Sequence, residues 1–239
     1  MIEFIHRHPI IIKALLTVVT LTFIITGGYF MLGGQTVEEY AAKVNGRVIT
    51  MPQYQDALYR MQDIYRNLYK GNIPDNISKQ LGMNTIKGMI DRRLLLAEAK
   101  REGLSVSDRE ISDVVVQSKS FQDENGRFNK KLYIQALQQN GMTPAIYERR
   151  LRDEILTEKL QDLVKSSVYV TEDEARDYYK SQLAMQNKPF DEKDFQAQKK
   201  NLSGMLTLIM QEKQVETFKE GLRARAKIIL NPSITSANS

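Results

Sequence analysis

A mainly helical domain with one small sheet, preceded by a membrane-spanning helix, is the fold class this sequence predicts. Three observations carry the prediction. From Ala14 to Leu32 the chain holds no charged residue. After Met51, apolar residues recur at spacings of three and four, punctuated by Ser/Thr-x-x-Glu/Gln capping boxes at Thr50, Ser107 and Thr171. β-branched residues gather around an Asn-Gly pair in Ala42–Ile49 and again in the short run Ala226–Leu230.

The uncharged run comes first. At about 1.5 Å rise per residue, Ala14–Leu32 nearly spans a hydrocarbon core of about 30 Å, and Ile10 to Ile12 extend it. A cleaved signal peptide is the competing reading, but its apolar region runs to only about 7–15 residues. Thr26-Gly27-Gly28 is a weak cleavage site, so length favours an uncleaved anchor. Arg7 and Lys13 precede the span, whereas Glu38 and Glu39 follow it. Basic flanks stay inside, which predicts a cytoplasmic segment 1–9, a span 10–32, a linker 33–41 and a folded part outside the cytoplasm.

In the folded part, Asn45-Gly46 predicts a hairpin. Thr50 and Gln53 then cap a helix that tolerates Pro52 in its first turn and places Tyr54, Leu58, Met61, Tyr65 and Leu68 on one face. Gly71 and Pro74 end it. A second helix over about Ile77–Glu102 is traced by Ile86, Met89, Ile90, Leu94, Ala97 and Arg101, with Arg101 marking where the apolar stripe meets water, and Gly103 stops it. Ser107 opens a third helix, and Phe121–Phe128 is a turn-rich loop. Asn129 begins a short helix closed by Asn140-Gly141, and Thr143-Pro144 starts the next. Thr171-Glu172-Asp173-Glu174 starts another, which breaks at Gln186–Pro189 before a long helix over about Asp191–Arg225. An isolated hairpin is marginal in water, so Ala226–Leu230 is its expected third strand, bringing both ends of a domain 42–232 together near the membrane. Residues 233–239 read as a disordered tail.

Composition excludes much chemistry. The 239 residues include no Cys and two His, His6 and His8, both ahead of the uncharged run. No disulfide, thiolate site, Ser-His-Asp triad or histidine metal centre is then available to the folded part, and neither a cofactor nor a metal is expected. Lys and Arg total 34 against 29 Asp and Glu, a net charge of +5 spread through mixed-sign segments such as Arg92–Glu102. That pattern marks solvated helix faces, so no nucleic-acid partner is expected. Glu172-Asp173-Glu174 and Asp191-Glu192-Asp194 read as helix-start acids.

Several stretches together resemble the SurA and PpiD family of extracytoplasmic folding factors. They are Val44-Asn45-Gly46 with Ile49-Thr50, Ile90-Asp91-Arg92 with Leu94-Leu95, and Gly103–Asp108. The most specific joins Phe121-Gln122, Gly126-Arg127-Phe128, Tyr133, Leu137, Gly141-Met142-Thr143, Tyr147-Glu148 and Leu151-Arg152. The likeness covers roughly Ala42–Tyr179, and with the anchor it is most similar to the PpiD-type members. In that family a parvulin prolyl-isomerase domain usually follows; here only residues 180–189 separate Tyr179 from Phe190, too few for any domain. The two His that such a domain commonly uses have no counterpart, so no enzyme activity is expected.

The resemblance implies a SurA-like chaperone domain facing the periplasm from the inner membrane. It would bind unfolded secreted or outer-membrane proteins as a holdase without ATP. Its partners would be unfolded clients and the membrane itself, with the secretion translocon as a further candidate. Met adapts its shape and Tyr offers a ring with a polar tip, so Tyr54, Tyr59, Met61, Tyr65, Tyr69, Met83 and Met89 are the client-binding candidates, Tyr59 and Tyr69 lying off the main stripe. The alternative is a membrane-tethered adaptor that uses the same fold to hold one dedicated folded partner.

Overall fold

The structure, a computed structural model, describes residues 40–236. The chain opens with β1 (Tyr40–Val44) and β2 (Arg47–Thr50). Asn45 and Gly46 join them with φ of 50° and 80°, the double left-handed turn that suits a two-residue hairpin. Far along the chain β3 (Ile228–Leu230) returns to the free side of β1, so the sheet order is β2-β1-β3 with both pairs antiparallel. Lys43 stands opposite both Val48 and Ile229. Asn45 does a second job here: its N–H donates to Lys227 O at 2.9 Å and its Oδ1 accepts from Lys227 N at 2.8 Å. One turn residue thus shapes the hairpin and clips on the strand that follows 182 residues later.

The helices are α1 (Met51–Leu68), α2 (Asp75–Arg101), α3 (Asp108–Gln117), α4 (Lys130–Gln139), α5 (Pro144–Ser166), α6 (Glu172–Met185), α7 (Glu192–Arg225) and α8 (Pro232–Ser236). The reciprocal capping boxes form at Thr50/Gln53, Ser107/Glu110 and Thr171/Glu174. Asn129, Thr143 and Asp191 cap α4, α5 and α7 with their side chains. Between α3 and α4 the loop turns at Gly126 and pairs Gln122 with Phe128. Only Gln186–Asp191 lies between α6 and α7.

Two helices are buried on more than one side, and they organise the core. At about 100° per residue, Ile86, Ile90 and Leu94 of α2 share one quadrant while Leu81, Leu95 and Ala99 fall on the opposite side; all six are buried. α2 packs against β1, α1, α5 and α7. The main core accordingly joins Ala42, Val44 and Ile49 of the sheet with Ile86, Ile90, Leu94, Leu95 and Ala99 of α2, Leu156 and Leu160 of α5, and Leu222 of α7. α7 changes face along its length: Phe195, Leu202 and Leu206 lie on one side, Val215 and Leu222 on the other. Its first half packs on α6 through Phe195 and Ala175. A second core gathers Ile111, Val115, Phe121, Tyr133, Leu137 and Leu151 around α3, α4 and the start of α5.

The structure revises several expectations. Tyr40 and Ala41 belong to β1, not to the linker, because their carbonyls accept from Asn231 Nδ2 and Asn231 N. Ala97 is exposed, against its expected place on the buried stripe; a helix buried on both sides does not continue one stripe to its end. The tail does not begin at Ser233: residues 232–236 form α8, and Ile234 is 4% exposed within the main core. The segment 1–9, the span 10–32 and the linker up to Glu39 lie outside the described residues, as do residues 237–239. Among the described residues no helix is long and apolar enough to cross a membrane.

Candidate binding surface

The acidic clusters have structural partners. Asp191 accepts from Lys193 N and Asp194 N as the cap of α7. Bonds from the Thr171 backbone and hydroxyl lower the Glu174 pKa. Glu172 is also lowered, chiefly by the Lys199 ammonium. Glu110 is held at about 2, first by Lys159 and then by Ser107. These are helix starts tied to neighbouring helices. Among the described residues no group of three or more His, Asp and Glu is placed to hold a metal.

Apolar surface is where the chain departs from an ordinary globular domain. The stripe on α1 starts in the core and runs out of support. Tyr54 is 8% exposed and belongs to the main core, and Leu58 packs against it. Further along, Met61 and Tyr69 are exposed, and Ile64 and Leu68 reach 60% and 70%. Helical geometry puts Met61, Ile64, Tyr65, Leu68 and Tyr69 in one contiguous band. The Tyr65 and Tyr69 rings stack within it, 6.2 Å apart and 10° from parallel. Tyr59 is 63% exposed but lies round the helix from that band. Met83 and Met89 are partly buried against the main core.

A second apolar surface sits where α7 changes face. Met205, Leu208 and Ile209 are exposed there, Leu208 to 68%. Gln211 Nε2 donates to Lys165 O at 3.4 Å, which places the end of α5 beside this segment. The end of α5 and its continuation add the exposed Leu163 and Tyr169. Val168, Tyr169 and Met210 line a cleft of about 370 Å³.

Of the seven sequence-derived candidates, then, Tyr54 is core, Met83 and Met89 flank the core, Met61, Tyr65 and Tyr69 share one band, and Tyr59 is exposed away from that band. The sequence reading missed Ile64 as part of that band and the whole Met205–Ile209 surface. The first had a signal, since Ile64 sits three and four residues from Met61 and Leu68. The second had none, because one stripe cannot be followed through a helix that switches face.

The family model of the SurA-like N-terminal domain matches residues 1–161, well over half of the chain. The chain belongs to the SurA-like N-terminal domain family. Among curated relatives of this SurA-like chain, the periplasmic chaperone PpiD of Haemophilus ducreyi is 30% identical over 183 residues, covering 72% of this chain and 29% of that protein. The PpiD of Escherichia coli is 30% identical over 163 residues, covering 64% and 25%. The chaperone SurA of Bordetella avium is 28% identical over 151 residues, covering 63% and 28%. The chain therefore spans less than a third of the length of each of these relatives.

Proposed function

We propose that this chain is a membrane-anchored periplasmic chaperone that holds unfolded secreted or outer-membrane proteins without ATP and without isomerase activity. The observation that carries the reading is the band of exposed Met61, Ile64, Leu68 and Tyr69 with the half-buried Tyr65, on a helix whose other end is locked into the core. A contiguous apolar surface on a folded domain is a binding surface. Here the band is rich in side chains that adapt to many partners. The Met205–Ile209 surface offers a second point of attachment, and two shallow contacts on one client raise retention by effective concentration. Relatives named as periplasmic chaperones support the client class.

The remaining parts of the reading rest on sequence. The uncharged run within residues 10–32 and the basic residues before it support an inner-membrane anchor with the folded domain in the periplasm. Anchoring beside the secretion translocon would meet clients as they emerge. The short Gln186–Asp191 link between α6 and α7 supports the lack of an isomerase domain at that point.

The test is the full chain in lipid nanodiscs, mixed without ATP with a urea-denatured outer-membrane barrel protein on dilution. Suppression of light scattering near equimolar ratio, repeated with an unrelated client, is the expected result. No suppression with either client would overturn the holdase and favour the dedicated adaptor.

A further inference from the structure

An apolar face in the middle of α7 stays open to water. Met205 and Ile209 are each 47% exposed there, and Leu208 is 68% exposed. Asn201 and Glu212 bound the face and are exposed too. Asn201, Met205, Leu208 and Glu212 are spaced by four, three and four residues, the spacing of the seam positions in a two-stranded coiled coil. At 3.6 residues per turn the four lie within about 60° of one another. Gly204 flanks the seam on one side and Ile209 on the other. A Cβ added at Gly204 would meet nothing within 4 Å, so that flank has room for a second helix.

The order of the seam residues names the occupant. Laid antiparallel on a copy of itself, the seam sets Met205 opposite Leu208 and Asn201 opposite Glu212, each pair twice by the two-fold symmetry. An amide can then donate to a carboxylate at both ends of an apolar centre. Laid parallel, the same seam would press Glu212 against Glu212, and like charges disfavour that register. Among the described residues, neither the Asn201 nor the Glu212 side chain makes a hydrogen bond or ion pair, so pairing breaks no existing contact of theirs.

The contact is small. Three apolar side chains from each copy fall short of the roughly 800 Å² per partner of a standard interface, which makes it transient in dilute solution. Two copies anchored in one membrane meet at a much higher effective concentration.

We propose that this face of α7 pairs antiparallel with the same face of a second copy of the chain. The proposal rests on the anchored-chaperone reading and adds a control to it: pairing covers the Met205–Ile209 point of attachment, which a client must take from the partner copy.

The chain holds no Cys, so Asn201→Cys and Glu212→Cys each give one thiol per copy. Full chains carrying one or the other, mixed in liposomes and treated with a short bis-maleimide, should yield a crosslinked dimer. Either variant alone should yield at least about tenfold less, because antiparallel pairing separates like positions by about 16 Å of helix. Leu208→Lys in both copies places a charge in the seam and should lower the mixed yield at least about tenfold, with an unchanged thermal midpoint. No mixed dimer, equal crosslinking in the single-variant samples, or a mixed yield untouched by Leu208→Lys would each overturn the proposal. An excess of urea-denatured barrel protein should cut the mixed yield several-fold. An undiminished yield while that client is kept from aggregating would overturn the shared surface. If the dimer forms without any suppression of aggregation, the pairing stands and the chaperone reading falls. If suppression persists with no dimer, the pairing falls and the chaperone reading stands.

Discussion

Arg223, in the last turns of α7, donates to both carboxylate oxygens of Asp91 on α2, at 2.6 and 2.7 Å. The two residues are 132 positions apart and both largely withdrawn from water. The second terminal guanidinium nitrogen donates to Glu216 at 2.8 Å, and Glu216 in turn holds Lys219. Burial works against the Arg223 charge, but its bonds to Glu216 and Asp91 outweigh that and hold its pKa above the ordinary value. The pair fastens the returning helix to the central one at the same end where β3 joins the sheet.

Removing one partner should expose this dependence. Arg223→Ala is expected to lower stability by about 2–3 kcal/mol, because Asp91 is left largely buried without its guanidinium partner. Replacing both, Asp91→Leu with Arg223→Met, should recover most of the loss, since two apolar side chains leave no unpaired charge. Urea unfolding of the full chain in detergent, followed by circular dichroism, measures both.

Acid should loosen the same region. Glu216 is held at about 2 by Lys219 and then Arg223, against an ordinary 4.5. A carboxylate lowered in the folded state contributes stability that is complete above its unfolded pKa and disappears as pH falls from about 4.5 through about 2. The urea midpoint is therefore expected to drop across that window, and Glu216→Gln should flatten the drop. A slope unchanged by the substitution would show that Glu216 is not a source of it.

On α1 the stripe should divide into two behaviours. Ile64→Ser and Leu68→Ser are expected to move stability by no more than about 0.5 kcal/mol each. They should nevertheless raise the chaperone-to-client ratio needed for half-suppression of aggregation by roughly twofold or more. Tyr54→Ala, on the same stripe but in the core, should cost about 2–4 kcal/mol instead. Equal loss of stability at all three positions would mean the outer band is packed.

Ile234 makes α8 part of the fold. Ile234→Ala should destabilise by about 2–4 kcal/mol, measurable as a lowered thermal midpoint. A tail that merely trails from the last strand would show no shift.

Local signals in this chain were legible because their physics is local. Thr50, Ser107 and Thr171 each satisfy backbone groups three residues away, so the capping boxes could be read from spacing. Asn45-Gly46 named its own turn because so few residue pairs accept two left-handed conformations in succession. The need of that hairpin for a third strand also singled out the one β-rich run near the C-terminus. Family likeness was readable for the same reason, in short motifs around these turns and caps.

Tertiary structure decided what depends on partners distant in the chain. Ala97 and Ala99 of α2 look alike in sequence, yet Ala99 is buried and Ala97 exposed, because α2 is sandwiched between layers. The stripe from Tyr54 to Leu68 is uniform in pattern, and only the extent of the core beneath it separates packed residues from exposed ones. α7 turns Phe195 toward α6 and Leu222 toward α2, which cancels any single amphipathic face and leaves Met205, Leu208 and Ile209 uncovered. Periodicity records that a helix has an apolar side; which part of that side is covered depends on where the neighbouring helices end.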